Sequence, residues 1–367
     1  MSIYLPTDQR SCLRRYSALA YFLLATSLIA AGNAVRAQFG GAIPGREGEW
    51  PYIYHGMLLQ YLMDYGDVGF VRRGLVGTLL PGDPALGATA LVLAAATLPA
   101  VLVAAVMALR LARLEDRTLA FAFAVSPALF WQMGFDLGRF DALNMLVVLG
   151  IALCPWRWAL MAAPVMLLIH EAAAAIFLPV LFALHWQRFG LGAPMMVAGT
   201  AVLGVTAALI ALSARPDAAM IAALYPTAMA DPWVISSSIE DNLSLAWRHF
   251  AEERSARQFW MLGPPLLYVA ALVFVGARML QRASGAWVVL AAALSPLLLP
   301  LVAADYARWI ALAGANVILV ALLIGRQTPV VRPPRAAVVV LAAAGAFGPM
   351  GILFGFPGAQ FFLGRLF

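Results

Sequence analysis

Hydropathy along the chain falls into long apolar runs separated by short polar turns. A membrane helix needs roughly 17–25 predominantly apolar residues. Runs of about that order cover Tyr16–Ala31, Leu86–Leu109, Thr118–Met133, Ala142–Pro155, Leu191–Ser213, Met261–Leu280, Ala286–Ala304, Trp309–Ile324 and Ala336–Phe354. One more, Ala159–Leu184, is long for a single span and carries His170-Glu171 inside it. Ionisable side chains within a membrane are costly, so this run reads as two short helices meeting at that pair. The pattern predicts an all-α fold, a polytopic transmembrane helix bundle of about eleven helices with extracytoplasmic loops. There are no heptads, no low-complexity tail and no convincing internal repeat, and a single membrane domain over residues 1–367 is the simplest organisation.

Composition agrees with the pattern. The chain is 63% hydrophobic and 11% charged, with a mean hydropathy of +0.87. A soluble domain carries roughly 45–50% apolar and about 25% charged residues, and an excess of this size cannot be hidden in one core. The net charge of +6 comes entirely from arginine, since the chain has no lysine. These arginines are spread through short loops and form no patch, which argues against nucleic acid and for anionic headgroups or lipid-linked anions as partners. Cys12 and Cys154 lie far apart and form no CxxC, so neither a disulfide framework nor a metal site is indicated.

Arginine in short loops also sets orientation. Arg10, Arg14 and Arg15 place the N-terminus inside, and Arg110, Arg113, Arg117, Arg157, Arg188, Arg278, Arg282, Arg326, Arg332 and Arg335 then fall inside as well. Merging Ala159–Leu184 into one helix would turn the C-terminal arginines outward, which favours the split. The same three N-terminal arginines, followed by an apolar run and Ala34-Val35-Arg36-Ala37, also have the form of a signal peptide. A first transmembrane helix is the simpler account in a polytopic chain, and either reading sends the next loop outward. The outer excursions are Gly32–Leu80, with an interfacial helix expected over Tyr52–Met63, and residues 214–260, read as a short helical cover.

Under this topology nearly all acids lie outside, and four clusters meet on that face. The first runs from Glu47-Gly48-Glu49 to Asp67 and the Arg72-Arg73 pair; acids beside a double arginine suit a phosphate held near a general base. The second is Asp136, Arg139 and Asp141 in a tight turn. The third is His170-Glu171, which is not HExxH because position 174 is alanine. The fourth is Asp305 and Arg308. Each has a plainer reading: a solvated loop, an i, i+3 pair, helix-packing glue, or an interfacial anchor. Together they describe one polar basin in an apolar bundle, and convergence is what an active site requires.

At these residues the chain resembles the GT-C superfamily of integral-membrane glycosyltransferases, which use polyprenyl-phosphate-linked sugars. Glu47-Gly-Glu49-Trp50, the aromatic stretch after it and Tyr65-Gly-Asp67 look like that family's progression of acid, aromatic segment, helix and Gly-Asp. The resemblance implies a catalytic acid at Glu49, with Glu47 and Asp67 as alternatives, and a second acidic position at Asp136 and Asp141. Arg72, Arg73, Arg139, His170, Glu171, Asp305 and Arg308 are then expected to bind substrate. The implied partners are a polyprenyl-phosphate-linked sugar donor, a glycan or lipid acceptor and membrane lipids. The resemblance fixes no cofactor, and a divalent cation is compatible with it. The implied location is a bacterial inner (cytoplasmic) membrane, multi-pass. The chain departs from the family in having Glu-Gly-Glu where Asp or Asp-Glu is usual. The rival functions are a polysaccharide polymerase or ligase, and a transporter or flippase of lipid-linked glycans, whose sites lie near the midplane on broken helices.

Overall fold

In the computed structural model, the described residues are 7–37, 50–53, 55–80, 90–214, 218–224, 241, 243–244, 247–248, 256–301, 305–325 and 331–345. Among them the chain is helical, with no strand. The elements are α1 (Thr7–Ala37), α2 (His55–Leu62), α3 (Tyr65–Val68), α4 (Gly74–Leu79), α5 (Ala90–Leu111), α6 (Arg117–Phe135), α7 (Asp141–Leu153), α8 (Arg157–Ile169), α9 (Ala173–Ile176), α10 (Leu178–Phe189), α11 (Ala193–Leu212), α12 (Ala218–Leu224), α13 (Ala256–Leu280), α14 (Ala286–Leu301), α15 (Tyr306–Ile324) and α16 (Arg335–Ala344). Six of them are long and apolar enough to cross a membrane: α1, α5, α6, α11, α13 and α15. Four more apolar helices, α7, α8, α14 and α16, are shorter.

Side-chain contacts fix the direction of each helix. Arg188, near the end of α10, donates from Nη1 to the carbonyls of Ala152 and Cys154, both at 2.9 Å. It thus satisfies two of the orphan acceptors that the end of α7 leaves open. The other end of α7 begins at Asp141, which pairs with Arg308 at the start of α15. Asn33, near the end of α1, exchanges two 2.7 Å hydrogen bonds with the backbone of Tyr52 and donates to the Gly134 carbonyl at the end of α6. The bundle therefore has two ends of different chemistry. Arg110, Arg188 and the Arg332–Glu115 pair lie at one, and Asp141, Arg139, His170 and Arg308 at the other.

α15 runs through the middle: every residue from Ala307 to Ile324 is buried. A helix apolar all round must be covered all round, by protein or by lipid. α11, equally apolar, is left largely uncovered by protein, with only 11% of its span buried. At the crossing of α1 and α6, Gly32 lies against the Trp131 carbonyl and Gly134 against Ile29. A Cβ at either would run into backbone, so glycine is what allows this close approach.

The chain leaves helical geometry at His170, where φ is −158° and ψ 118°. A second break follows at Phe177, and here the sequence gives the cause. Pro179 has no N–H to offer the Ala175 carbonyl, and Ser295 Oγ donates to that carbonyl at 2.6 Å. Asn316 Nδ2, on α15, donates to the neighbouring Ile176 carbonyl at 2.7 Å. Non-helical backbone inside an apolar bundle persists only when its polar groups are satisfied in this way. In the first loop, the segment expected to lie at the interface contains the eight-residue α2, and Met57, Leu59, Tyr61, Leu62 and Met63 of this segment are buried in protein.

Candidate functional site

Arg72 and Arg73 of the first charged cluster and the charged residues of the other three come together at one end of the bundle as a continuous ionic network. It starts with the first loop. Arg73 makes a bidentate pair with Glu171, Nε to Oε2 at 2.9 Å and Nη2 to Oε1 at 2.7 Å, and Arg72 Nη1 lies 3.6 Å from the same carboxylate. Arg73 does this from the left-handed region, at φ 66°. That conformation costs a side-chain-bearing residue about 1–2 kcal/mol, which a charge-assisted fork can offset.

His170 joins this half of the network to the other. Its Nδ1 lies 3.4 Å from Glu171 Oε2, and its Nε2 lies 3.5 Å from Arg308 Nη2. The Ala172 N–H also points at Nδ1, at 3.1 Å. Arg308 forms a second bidentate pair, Nε and Nη2 each 2.7 Å from an Asp141 oxygen, and its Nη1 reaches Asp305 at 3.4 Å. Arg139 Nη1 donates to Asp305 at 3.0 Å, and its Nε lies 3.4 Å from Asp136 Oδ1. Asp136 Oδ2 accepts a short hydrogen bond from Gln132 Nε2.

Local sequence explains the placement. The Asp136 turn is tight because Gly138 adopts φ 94°, and Ile53 and Met57 of the first loop pack against it. Tyr61 stacks edge-on against Phe140 with centroids 4.9 Å apart. Arg308 sits one turn into the central helix, so its guanidinium lies where the loops converge. With every carboxyl ionised, Arg72, Arg73, Arg139 and Arg308 balance Asp136, Asp141, Glu171 and Asp305. A neutral cluster can be buried where an unpaired charge cannot. Burial grades across it, from 3% side-chain exposure at Arg308 to 23% at Asp305 and 28% at Glu171, so the approach to the network is at the latter two.

The surroundings shift the titrating groups. Burial pushes the Asp136 carboxyl up, and Arg139 offsets only part of that effect. Burial would also raise Glu171, but Arg73 and then His170 outweigh it and hold the carboxyl well below the usual range. His170 is pushed down to about 3, first by burial and then by Arg73. A histidine depressed in the folded state binds its proton more readily when unfolded, so it removes stability as pH falls below its ordinary value of about 6.5. Glu171, depressed, contributes stability that is lost only in strong acid. Asp136, raised, acts in the opposite sense. The His170 contribution is therefore expected to lower the melting temperature at pH 5 relative to pH 7. His170→Gln should flatten that dependence by up to about 1.4 kcal/mol per pH unit. An unchanged slope in thermal unfolding of the variant would remove His170 from this role.

Of the other sequence candidates, Glu47 and Glu49 lie outside the described residues. Asp67 is exposed on α3, with its N–H donated to Asp64 Oδ1 at 2.8 Å, away from the network's ion pairs. Among the described residues no group of His, Cys, Asp and Glu is arranged to hold a metal ion. Sequence reading passed over Gln132 and Asn33. Both are amides within otherwise apolar helices, and Gln132 precedes Asp136 by four residues, the spacing of helical neighbours. Comparison with protein-family models, with curated proteins and with solved structures gives no match to this chain.

Proposed function

We propose that the chain is a GT-C-like membrane glycosyltransferase that moves a sugar from a polyprenyl-phosphate donor to a cell-envelope glycan or lipid. The observation that carries this reading is the ion pairing of Arg72 and Arg73, from the first loop, with Glu171, in a network that also holds the Asp136–Asp141 turn and the start of α15. A catalytic centre for a lipid-linked substrate needs an acid, cations for a phosphate leaving group and a fixed position at the membrane boundary. In the finer topology of this reading, α1, α5, α6, α7, α8, the α9–α10 pair, α11, α13, α14, α15 and α16 make eleven passes. The arginine-rich end faces the cytoplasm, as does the N-terminus, and the network faces outward across a bacterial inner membrane.

In the reaction, a carboxylate takes the acceptor hydroxyl proton as the oxygen attacks the sugar's anomeric carbon. The bond from that carbon to the phosphate oxygen breaks, and polyprenyl phosphate leaves with the electron pair. Arg72 and Arg73 stabilise the oxyanion, trading part of their pairing with Glu171 for the phosphate. Glu49 is the proposed base, three residues before the Tyr52 that Asn33 ties down.

A flippase for lipid-linked glycans is the second reading, and the break between α9 and α10 favours it, because transporters bind cargo at discontinuous helices. Ser295 and Asn316 already occupy the carbonyls of Ala175 and Ile176 at that break, which weighs for the transferase. The deciding experiment uses purified protein with a polyprenyl-phosphate sugar and an acceptor. Free polyprenyl phosphate should accumulate with product. Passage of the intact lipid-linked sugar across proteoliposomes, with no lipid phosphate released, would replace the transferase by the flippase.

A further inference from the structure

The ionic network holds two bidentate arginine–carboxylate forks, Arg308 on Asp141 and Arg73 on Glu171, with hydrogen bonds of 2.7–2.9 Å in both. They differ in what carries the carboxylate. Asp141 opens a 13-residue helix, and its side chain is 12% exposed. Glu171 stands in the turn between α8 and α9, just after the chain has left helical geometry at His170, and is 28% exposed. That turn is closed by the Ala173 N–H donating to the His170 carbonyl at 2.9 Å and the Ala174 N–H to the Glu171 carbonyl at 3.1 Å. One fork is shut inside the bundle, and the other stands at the opening with its acid on a turn.

Arg73 is the fixed member of the outer fork. It precedes Gly74, which lies so close to the Tyr65 ring that a Cβ there would meet it at 2.6 Å, and Gly74, Val76 and Gly77 of α4 are buried. A guanidinium fork fits two oxygens of a carboxylate or two of a phosphate equally well. Arg72 Nη1 lies 3.6 Å from Glu171 Oε1, the same oxygen that Arg73 Nη2 holds at 2.7 Å. Two cations therefore converge on the space of one small anion, and Glu171 fills it.

We infer that Glu171 is an internal occupant of the phosphate position on Arg72 and Arg73, which an incoming lipid phosphate has to displace; the inference rests on the phosphate contact of the transferase reading. The occupant sets a threshold. Phospholipids of the surrounding bilayer are phosphodiesters with a single charge, whereas a phosphate monoester carries about −1.5 to −2. A carboxylate already in place lowers the affinity of every anion by the same factor, so weakly bound diesters stay off the arginines and a monoester enters. This is selection against the wrong partner. In the proposed reaction the donor is itself a diester and gains its second charge only as the sugar leaves. The arginines then pass fully from Glu171 to the phosphate as that bond breaks, which places their stabilisation on the transition state in preference to the bound donor.

The test measures binding to the full-length protein in a neutral detergent at constant ionic strength. Farnesyl phosphate serves as the monoester, short-chain phosphatidylglycerol as the diester and inorganic phosphate as the headgroup alone. Isothermal titration gives the affinities, and thermal unfolding without ligand shows that each variant is folded. Glu171→Gln removes the charge and one acceptor oxygen, and should bind farnesyl phosphate about tenfold more tightly than wild type, the worth of a charge-assisted hydrogen bond. It should also bind phosphatidylglycerol at concentrations where the wild type does not. Glu171→Asp keeps the charge but not the reach to the fork, and should gain affinity in the same direction to a smaller extent. Adding Arg73→Gln to Glu171→Gln should remove the gain. The same gain for inorganic phosphate would show that the headgroup suffices, and a gain confined to the lipids that the chain is needed; both keep the inference. A Glu171 that only holds the fold predicts the reverse, weaker binding in both variants. Unchanged or weaker affinity in the folded variants, or a gain that survives Arg73→Gln, would overturn the inference. Because the readout is binding and not sugar transfer, unchanged affinity beside normal transfer removes the occupant and leaves the transferase, and a gain in affinity without transfer does the opposite.

Discussion

Replacing Arg308 with alanine is expected to lower the stability of the bundle by about 3–5 kcal/mol, the usual cost of stranding one partner of a buried ion pair. Asp141 loses both 2.7 Å hydrogen bonds at once, and Asp305 and His170 lose a neighbour. What remains is a carboxylate at the head of an apolar helix, with only the weaker influence of His170 and Arg139 to offset its burial. Arg308→Lys keeps the charge but not the planar fork, so it should recover only part of the loss. Changing the pair together, Arg308→Met with Asp141→Leu, should restore much of the stability, since a well-packed apolar pair can match a buried ionic one. Unfolding in detergent, by heat or denaturant, measures all three. A loss below about 1 kcal/mol for Arg308→Ala, the size of a surface pair, would mean that Asp141 does not depend on this partner.

The second large effect concerns turnover. Removing a general base typically slows a reaction by about 10²–10⁴. Glu49→Gln preserves shape and hydrogen-bonding reach while removing the charge that accepts the proton. It is expected to abolish most release of polyprenyl phosphate while leaving insertion and donor binding intact. Arg72→Ala should act differently. The bidentate Arg73–Glu171 pair survives it, so the fold holds, and the loss falls on donor affinity. Glu47→Gln and Asp67→Asn complete the series. Normal turnover in all three acid variants would exclude a base in the first loop and direct attention to Asp136 and Asp141.

Helix positions were legible in the sequence because an apolar run of span length has few alternatives in lipid. What covers each helix was not. α11 and α15 have mean hydropathies of 2.2 and 2.0, yet 11% of one span and 100% of the other are buried. Lipid and protein interior are equally apolar solvents, so composition cannot tell them apart. The better sign was polar: α15 carries Arg308 and Asn316, and both find partners on other helices. The break at His170 was readable from the cost of two ionisable groups in mid-helix, and the break at Phe177, caused by Pro179, was not noticed. The charged clusters were visible one by one, but their pairing was not. An i, i+3 contact between Asp305 and Arg308 is written in the sequence, whereas the stronger contact of Arg308 is with Asp141, 167 residues away.

That separation has a consequence for biosynthesis. At about 5–20 residues per second, translation delivers Arg308 on the order of ten to thirty seconds after Asp141. The Arg72 and Arg73 pairing with Glu171, and the contact of Asp136 with Arg139, are available as soon as α8 has followed the first loop into the bilayer. Asp141 has to wait at the water boundary, hydrated, until α15 threads through the centre of the helices already there. Closure of the network is therefore a late step of assembly, and a nascent chain stopped before Asp305 presents an unneutralised carboxylate to whatever inspects unfinished membrane proteins.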